Sequence, residues 1–210
     1  MKLYDFALAP NPRRVRMFLA EKGIEVPTEQ INTREAQQFS DEFQKVNSRG
    51  TVPALVLDDG TAITESVSIC RYFEDMHPEP NLFGANAKER AVVDMWNRRT
   101  EIECYAPAAD VVRNSLEMFK DRAIAGMPSG VPQLPGLVER GRASYARFLD
   151  RLDPELGSRQ FLAGDNFSIA DITAFIALDF AKRGELEVPA SASNVLRWQN
   201  EIAARPSASA

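Results

Sequence analysis

The chain has 210 residues, 44% of them apolar, enough to bury a substantial core at a length between one large domain and two small ones. Its 25 basic and 30 acidic residues give a net charge of -5 without a long run of like charges, which disfavours a nucleic-acid partner. No stretch reaches the roughly 18 apolar residues of a membrane span, and the opening MKLYDFALAP has no signal-type apolar run, so a cytoplasmic protein without a membrane partner is expected.

Only Cys70 and Cys104 are present, which excludes a disulfide framework and a CxxC pair. His77 is the single histidine, so neither a His-rich metal site nor a Ser/His/Asp triad is expected, and its place before Pro78 reads as a solvated helix end.

In chain order, KLYDF (residues 2–6) alternates like a strand, and Arg13 to Lys22 carries Val15, Phe18 and Leu19 at helical spacing before the stop at Gly23. A weak strand follows near Val26 to Ile31, then a short helix at Asp41 to Val46. Ala54 to Leu57 and Thr61 to Thr64 form a hairpin about Asp58-Asp59-Gly60, and Val67 to Met76 a helix with Ile69, Phe73 and Met76 on one face. Beyond Pro78-Glu79-Pro80-Asn81 strand signals vanish. Helical periodicity runs through Val92 and Trp96 to Phe119, followed by a loop over Gly126 to Pro135 and a helix to Leu152. Ser168 to Asp171 has capping-box spacing before an apolar helix through Leu178 that should be central. A last helix covers Ser193 to Ala203, and Pro206 to Ala210 reads as a frayed tail. The boundaries are residues 1–78 for an α/β domain, 79–87 for a linker and 88–210 for an all-helical domain.

Two features stand 13 residues apart around the hairpin. Pro53 opens a strand, either as an ordinary edge proline or as a cis peptide that frees the Val52 N–H and C=O for a ligand backbone. Ser66 reads as a helix N-cap whose free amides suit a carboxylate, with Glu65 beside it to pair an ammonium; together they fit an α-amino acid head group.

The segment NSRGTVPALVLDDGTAITESVSICRYFED (Asn47 to Asp75) resembles the glutathione-binding half of cytosolic glutathione transferases, APNPRRVRMFLAEKGI (Ala9 to Ile24) resembles their first loop and helix, and FLAGDNFSIADITAF (Phe161 to Phe175) their buried folding motif. The resemblance implies an α/β thioredoxin-like N-terminal domain and an all-α C-terminal domain. It implies a cis Pro53, Val52 pairing with the cysteine of glutathione, Glu65 and Ser66 on its γ-glutamyl end, Thr51 and Gln38 near its glycine, a small electrophile as second substrate, and a homodimer.

The pattern departs where the thiol is activated. The position of the family's serine holds Ala9, and the tyrosine count lands on Asp5 with Tyr4, a core residue, one place off. Asn11 is left as the catalytic candidate, its amide donating to a thiolate with the free N–H groups of the helix start; it also reads as that helix's N-cap, with Pro12 first in the helix. Arg13, Arg14 and Arg16 sit where a helix dipole prefers acids, to attract an anionic peptide or to bridge the domains. The second-substrate pocket is expected at Ala9, Tyr105, Met118 and Phe119. The rival reading is a non-catalytic transferase-like binding protein; dehalogenation, isomerisation and ether cleavage are alternatives on the same scaffold.

Overall fold

A computed structural model describes all 210 residues. The first part contains β1 (Lys2–Asp5), α1 (Pro10–Lys22), β2 (Thr28–Gln30), α2 (Asp41–Val46), β3 (Ala54–Val56), β4 (Ala62–Thr64) and α3 (Ser66–Met76). The strands order as β2-β1-β3-β4, with β1 parallel to β2 and antiparallel to β3. This mixed sheet is the thioredoxin-like arrangement. Leu3 faces Leu55 across the β1–β3 ladder, and both are buried against Val15, Phe18, Ile69 and Phe73 of α1 and α3. Met76 shares that helical face but emerges beyond the core, 57% exposed. Gly23 ends α1 at φ 64°, its N–H returning to Ala20 and Leu19.

The second part is helical: α4 (Ala87–Thr100), α5 (Ala106–Ser115), α6 (Pro135–Leu156), α7 (Ile169–Ala181) and α8 (Ser193–Ala203). The helical periodicity expected through to Phe119 is met by α4 and α5, joined through a π turn over Glu101–Tyr105, and ends in a 3₁₀ turn, Glu117–Phe119. Pro107 is the physical reason for the π turn, since it has no N–H to offer the carbonyl four residues back. The next helix runs past Leu152 to Leu156 with Pro154 inside its last turn.

Every residue of α7 except Asp179 is buried. Asp171 reaches back to the Ser168 N–H (3.0 Å), as the capping spacing predicts, and also accepts from the Leu162 N–H and the Trp198 indole, both at 2.9 Å. Burial pushes its carboxyl up to about 6, against the pull of these donors.

One connected cluster of 41 buried residues extends from Leu3 to Ala208, so α1 packs into the helical part as well as the sheet. Arg13 bonds Asp179 (2.5 Å) and the Ala208 carbonyl (2.8 Å), and buried Arg14 bonds Glu101 (2.9 Å), both across the two parts. Lys22 pairs with buried Glu74 (2.7 Å) and donates to the His77 and Pro80 carbonyls, clamping the segment between α3 and α4. His77 itself is the exposed C-cap of α3.

The tail is not frayed. Pro206–Ser209 forms a 3₁₀ turn with Ser207 and Ala208 buried, because Glu21 of α1 accepts from both Arg205 and Ser207 and Arg205 stacks 3.9 Å from the Phe167 ring centroid. No helix is long and apolar enough to cross a membrane.

Candidate active site

The sheet register gathers the site. Tyr4 pairs with Ala54 and Ala54 with Thr64, so the end of β1, the start of β3 and the end of β4 meet at one edge of the domain. The loop carrying Ala9, the Val52-Pro53 step and the Glu65-Ser66 step therefore lie side by side.

Val52-Pro53 is cis. Neither the Val52 N–H nor its C=O has a backbone partner in the chain, because β3 begins only at Ala54. Thr51 is fixed from behind by buried Asn47, whose amide donates to the Thr51 carbonyl (2.7 Å) and hydroxyl (3.1 Å). Two unpaired strand-like groups on a held loop can accept an extended peptide backbone.

At the next step the structure corrects the cap. Glu65, not Ser66, is the N-cap of α3, and it holds φ 68°, ψ 119° without any side-chain capping bond. Such a conformation costs a non-glycine residue about 1–3 kcal/mol and concentrates at functional sites. Ser66 becomes the first helical residue and is buried, and the amides of Ser66, Val67 and Ser68 have no acceptor in their own helix. With the exposed Glu65 carboxylate beside them, these donors complement a carboxylate and an ammonium on one carbon.

Gln38 lies in the 3₁₀ turn Gln37–Phe39, 5% exposed, with its Oε1 unpartnered, and its carbonyl accepts from Gln44. Gly126, from the α5–α6 loop, closes on this side: a Cβ there would stand 2.3 Å from the Arg49 carbonyl and 3.2 Å from the Thr51 methyl.

The start of α1 also differs from the sequence reading. Its N-cap is Ala9, Pro10 is the first helical residue, and Asn11 sits second, ahead of Pro12. Neither proline has an N–H, and the Arg13 N–H is taken by the Ala9 carbonyl (3.2 Å). The expected group of free amides reduces to one, that of Asn11, joined by its side-chain amide. Arg16, the third arginine of this helix, is held by buried Asp5 (2.6 Å) and the Ala7 carbonyl (2.9 Å).

Other thiol and phenol groups are quiet. Cys70 and Cys104 are fully buried and burial pushes both thiols up, which makes them poor nucleophiles. Tyr4 packs edge-on to Phe43 but is half-buried and stands outside the core cluster that the sequence reading gave it. Tyr105, whose phenol is pushed up to about 12 by burial, lies 5.7 Å from the Phe180 ring and beneath Arg14.

Against the Ala9 loop opens a cavity of about 230 Å³, walled by Ala7–Pro10 on one side and by Ile176, Phe180 and Arg183 on the other. Of the four positions expected for the second substrate, Ala9 lines it; Tyr105 stands behind Phe180, Met118 is 54% exposed, and Phe119 lies under Arg113. Leu8, Phe180 and Arg183 carry no motif, so only the folded chain reveals them.

A thioredoxin-like part with a cis Val52-Pro53 step and an uncapped α3 start, joined to a helical part, is the architecture of the glutathione transferase class. Residues 9–76 match the model of the glutathione S-transferase N-terminal domain and residues 115–206 that of the C-terminal domain. The chain is 34% identical to glutathione S-transferase 2 of Saccharomyces cerevisiae, over 99% of this chain and 87% of that protein. It is 29% identical to glutathione S-transferase F11 of Arabidopsis thaliana, over 98% and 94%. The crystal structure of a glutathione S-transferase domain-containing protein from Marinobacter aquaeolei superposes with a TM-score of 0.91 at 33% identity, over 99% of both chains. The chain belongs to the glutathione transferase family.

Proposed function

We propose that this chain binds glutathione along Val52, Glu65 and Ser66, with Thr51 and Gln38 at the glycine end, and that the two amides of Asn11 stabilise its thiolate for attack on a small hydrophobic electrophile. The protein is a glutathione transferase with glutathione as co-substrate. The observation that carries the site assignment is the clustering at one end of the sheet of unpaired Val52 backbone, uncapped α3 amides and the lone free N–H of α1. A thiolate needs no base where fixed dipoles meet it, because a free thiol near pKa 8.5 drops as positive partial charge approaches.

The test is a glutathione titration with the thiolate followed by its ultraviolet absorbance. The bound thiol is expected to ionise below its free value, and Asn11→Ala to raise the bound pKa by about one unit. An unchanged titration removes the Asn11 side chain from the mechanism and leaves only its backbone N–H. Ala9, in place of the expected hydroxyl, favours a second reading as a non-catalytic binding protein, which glutathione binding without thiolate formation would support. Dehalogenation, isomerisation and ether cleavage start from the same thiolate, and product analysis separates them.

A cytoplasmic homodimer completes the reading. Self-association is supported by the exposed apolar side chains Met76, Met95 and Ile102 on α3, α4 and the π turn, and sedimentation tests it.

A further inference from the structure

The cavity beside Ala9 has mixed walls in which three arginines outnumber the acidic groups, Asp179 and the C-terminal Ala210. Ile176 and Phe180 are buried in one wall, and Leu8 projects from the other, 44% exposed. Arg13, Arg16 and Arg183 also line it. Arg13 and Lys182 share the single carboxylate of Asp179 at 2.5 and 3.3 Å, and Arg16 is matched by Asp5. Arg183 has no carboxylate partner. Cations near the end of a helix often settle on that helix's last carbonyls. Arg183 instead reaches across to the Leu8 carbonyl (2.9 Å) in the loop that carries Ala9. That single neutral acceptor leaves most of its five donors free, held in place over the Phe180 ring at 5.7 Å.

We propose that Arg183 selects electrophiles that carry a carboxylate, seating that group at the end of α7 while an apolar or aromatic body lies against Leu8 and Phe180 and the reacting carbon faces the sulfur beside Ala9. The inference rests on the transferase reading above and names its substrate class. The fixed fork of a guanidinium suits a carboxylate, and Arg183, although exposed to solvent, has that fork oriented by the Leu8 carbonyl. In the step itself the thiolate sulfur forms a bond to the carbon, the leaving group departs with its bonding electron pair, and the thiol proton passes to solvent.

The experiment compares 4-chloro-3-nitrobenzoate with its neutral amide, each expelling chloride, with kcat/KM divided by the uncatalysed rate with glutathione. The wild-type protein is expected to prefer the carboxylate by about tenfold, worth about 1.4 kcal/mol. Arg183→Gln should collapse that ratio toward one and Arg183→Lys should restore part of it. Equilibrium binding of 3-nitrobenzoate and 3-nitrobenzamide to the glutathione-loaded protein reads the same ratio without turnover. A wild-type ratio near one, or a preference that Arg183→Gln leaves intact, overturns the inference while leaving the transferase reading standing. Failure of the protein to bind glutathione overturns that reading itself.

Discussion

Glu65 sets two demands against each other. Its backbone at φ 68° favours glycine, while its carboxylate belongs to the proposed ammonium site. Glu65→Gly should therefore be about 1 kcal/mol more stable than Glu65→Ala in chemical denaturation, because only glycine relieves the backbone. Both should weaken glutathione about tenfold, as expected for losing one charge-assisted contact. Wild-type affinity in both variants would take the carboxylate out of the site. The Glu65-Ser66 and Val52-Pro53 steps were readable in sequence because each combines a local backbone rule with a side chain of matching chemistry. Arg183 was not, since its partner Leu8 is 175 positions away and no local pattern connects them. The capping residues were read one or two places late for a related reason: Ser66 and Asn11 are good caps by type, but Glu65 and Ala9 take the cap positions.

At the scale of elements, the start of α1 is unusual in lacking any side-chain cap while two prolines occupy its first turn. Ala9 already has the extended backbone that a cap requires, φ -91°, ψ 139°. Ala9→Ser should place a hydroxyl oxygen on the Asn11 N–H and stabilise the protein by about 1 kcal/mol, raising Tm by about 2–4 °C. No gain in a thermal melt would mean that the Asn11 N–H already has an acceptor, against its proposed role. The α5–α6 loop offers a second test. Gly126 sits at φ 78° with no room for a Cβ against Arg49, so Gly126→Ala must push this loop off the Thr51 side of the cradle. Glutathione KM is expected to rise severalfold with kcat changed less, and an unaltered KM would separate the loop from the glycine end. Element order, hairpin and central helix were legible because hydrophobic period and turn residues agree there. The π turn was hidden because apolar spacing continues smoothly through Glu101–Tyr105 while the disruption comes from one absent N–H at Pro107.

For the whole molecule, the sheet, helical part and tail all meet on α1, and the ionisable groups at those contacts respond to pH with opposite signs. Although burial pulls the Glu21 carboxyl upward, hydrogen bonds from Arg205 and Ser207 hold it below its ordinary 4.5. Burial likewise raises Asp179, yet the bonds from Arg13 and Lys182 keep it below 3.8. Groups depressed in this way contribute stability that is present above their unfolded values and lost as pH falls through the folded ones. Asp171 runs the other way. Raised by burial from 3.8 to about 6, it contributes stability that is complete below 3.8 and lost as pH rises through about 6. Urea midpoints should accordingly rise as pH falls from 7.5 toward 5 and then decline below about 4.5, where the tail contacts begin to protonate. Asp171→Asn should flatten the upper limb and Glu21→Gln the lower one, each leaving the other limb in place. If both limbs survive both substitutions, the pH response lies in groups other than the α7 cap and the tail that closes on α1.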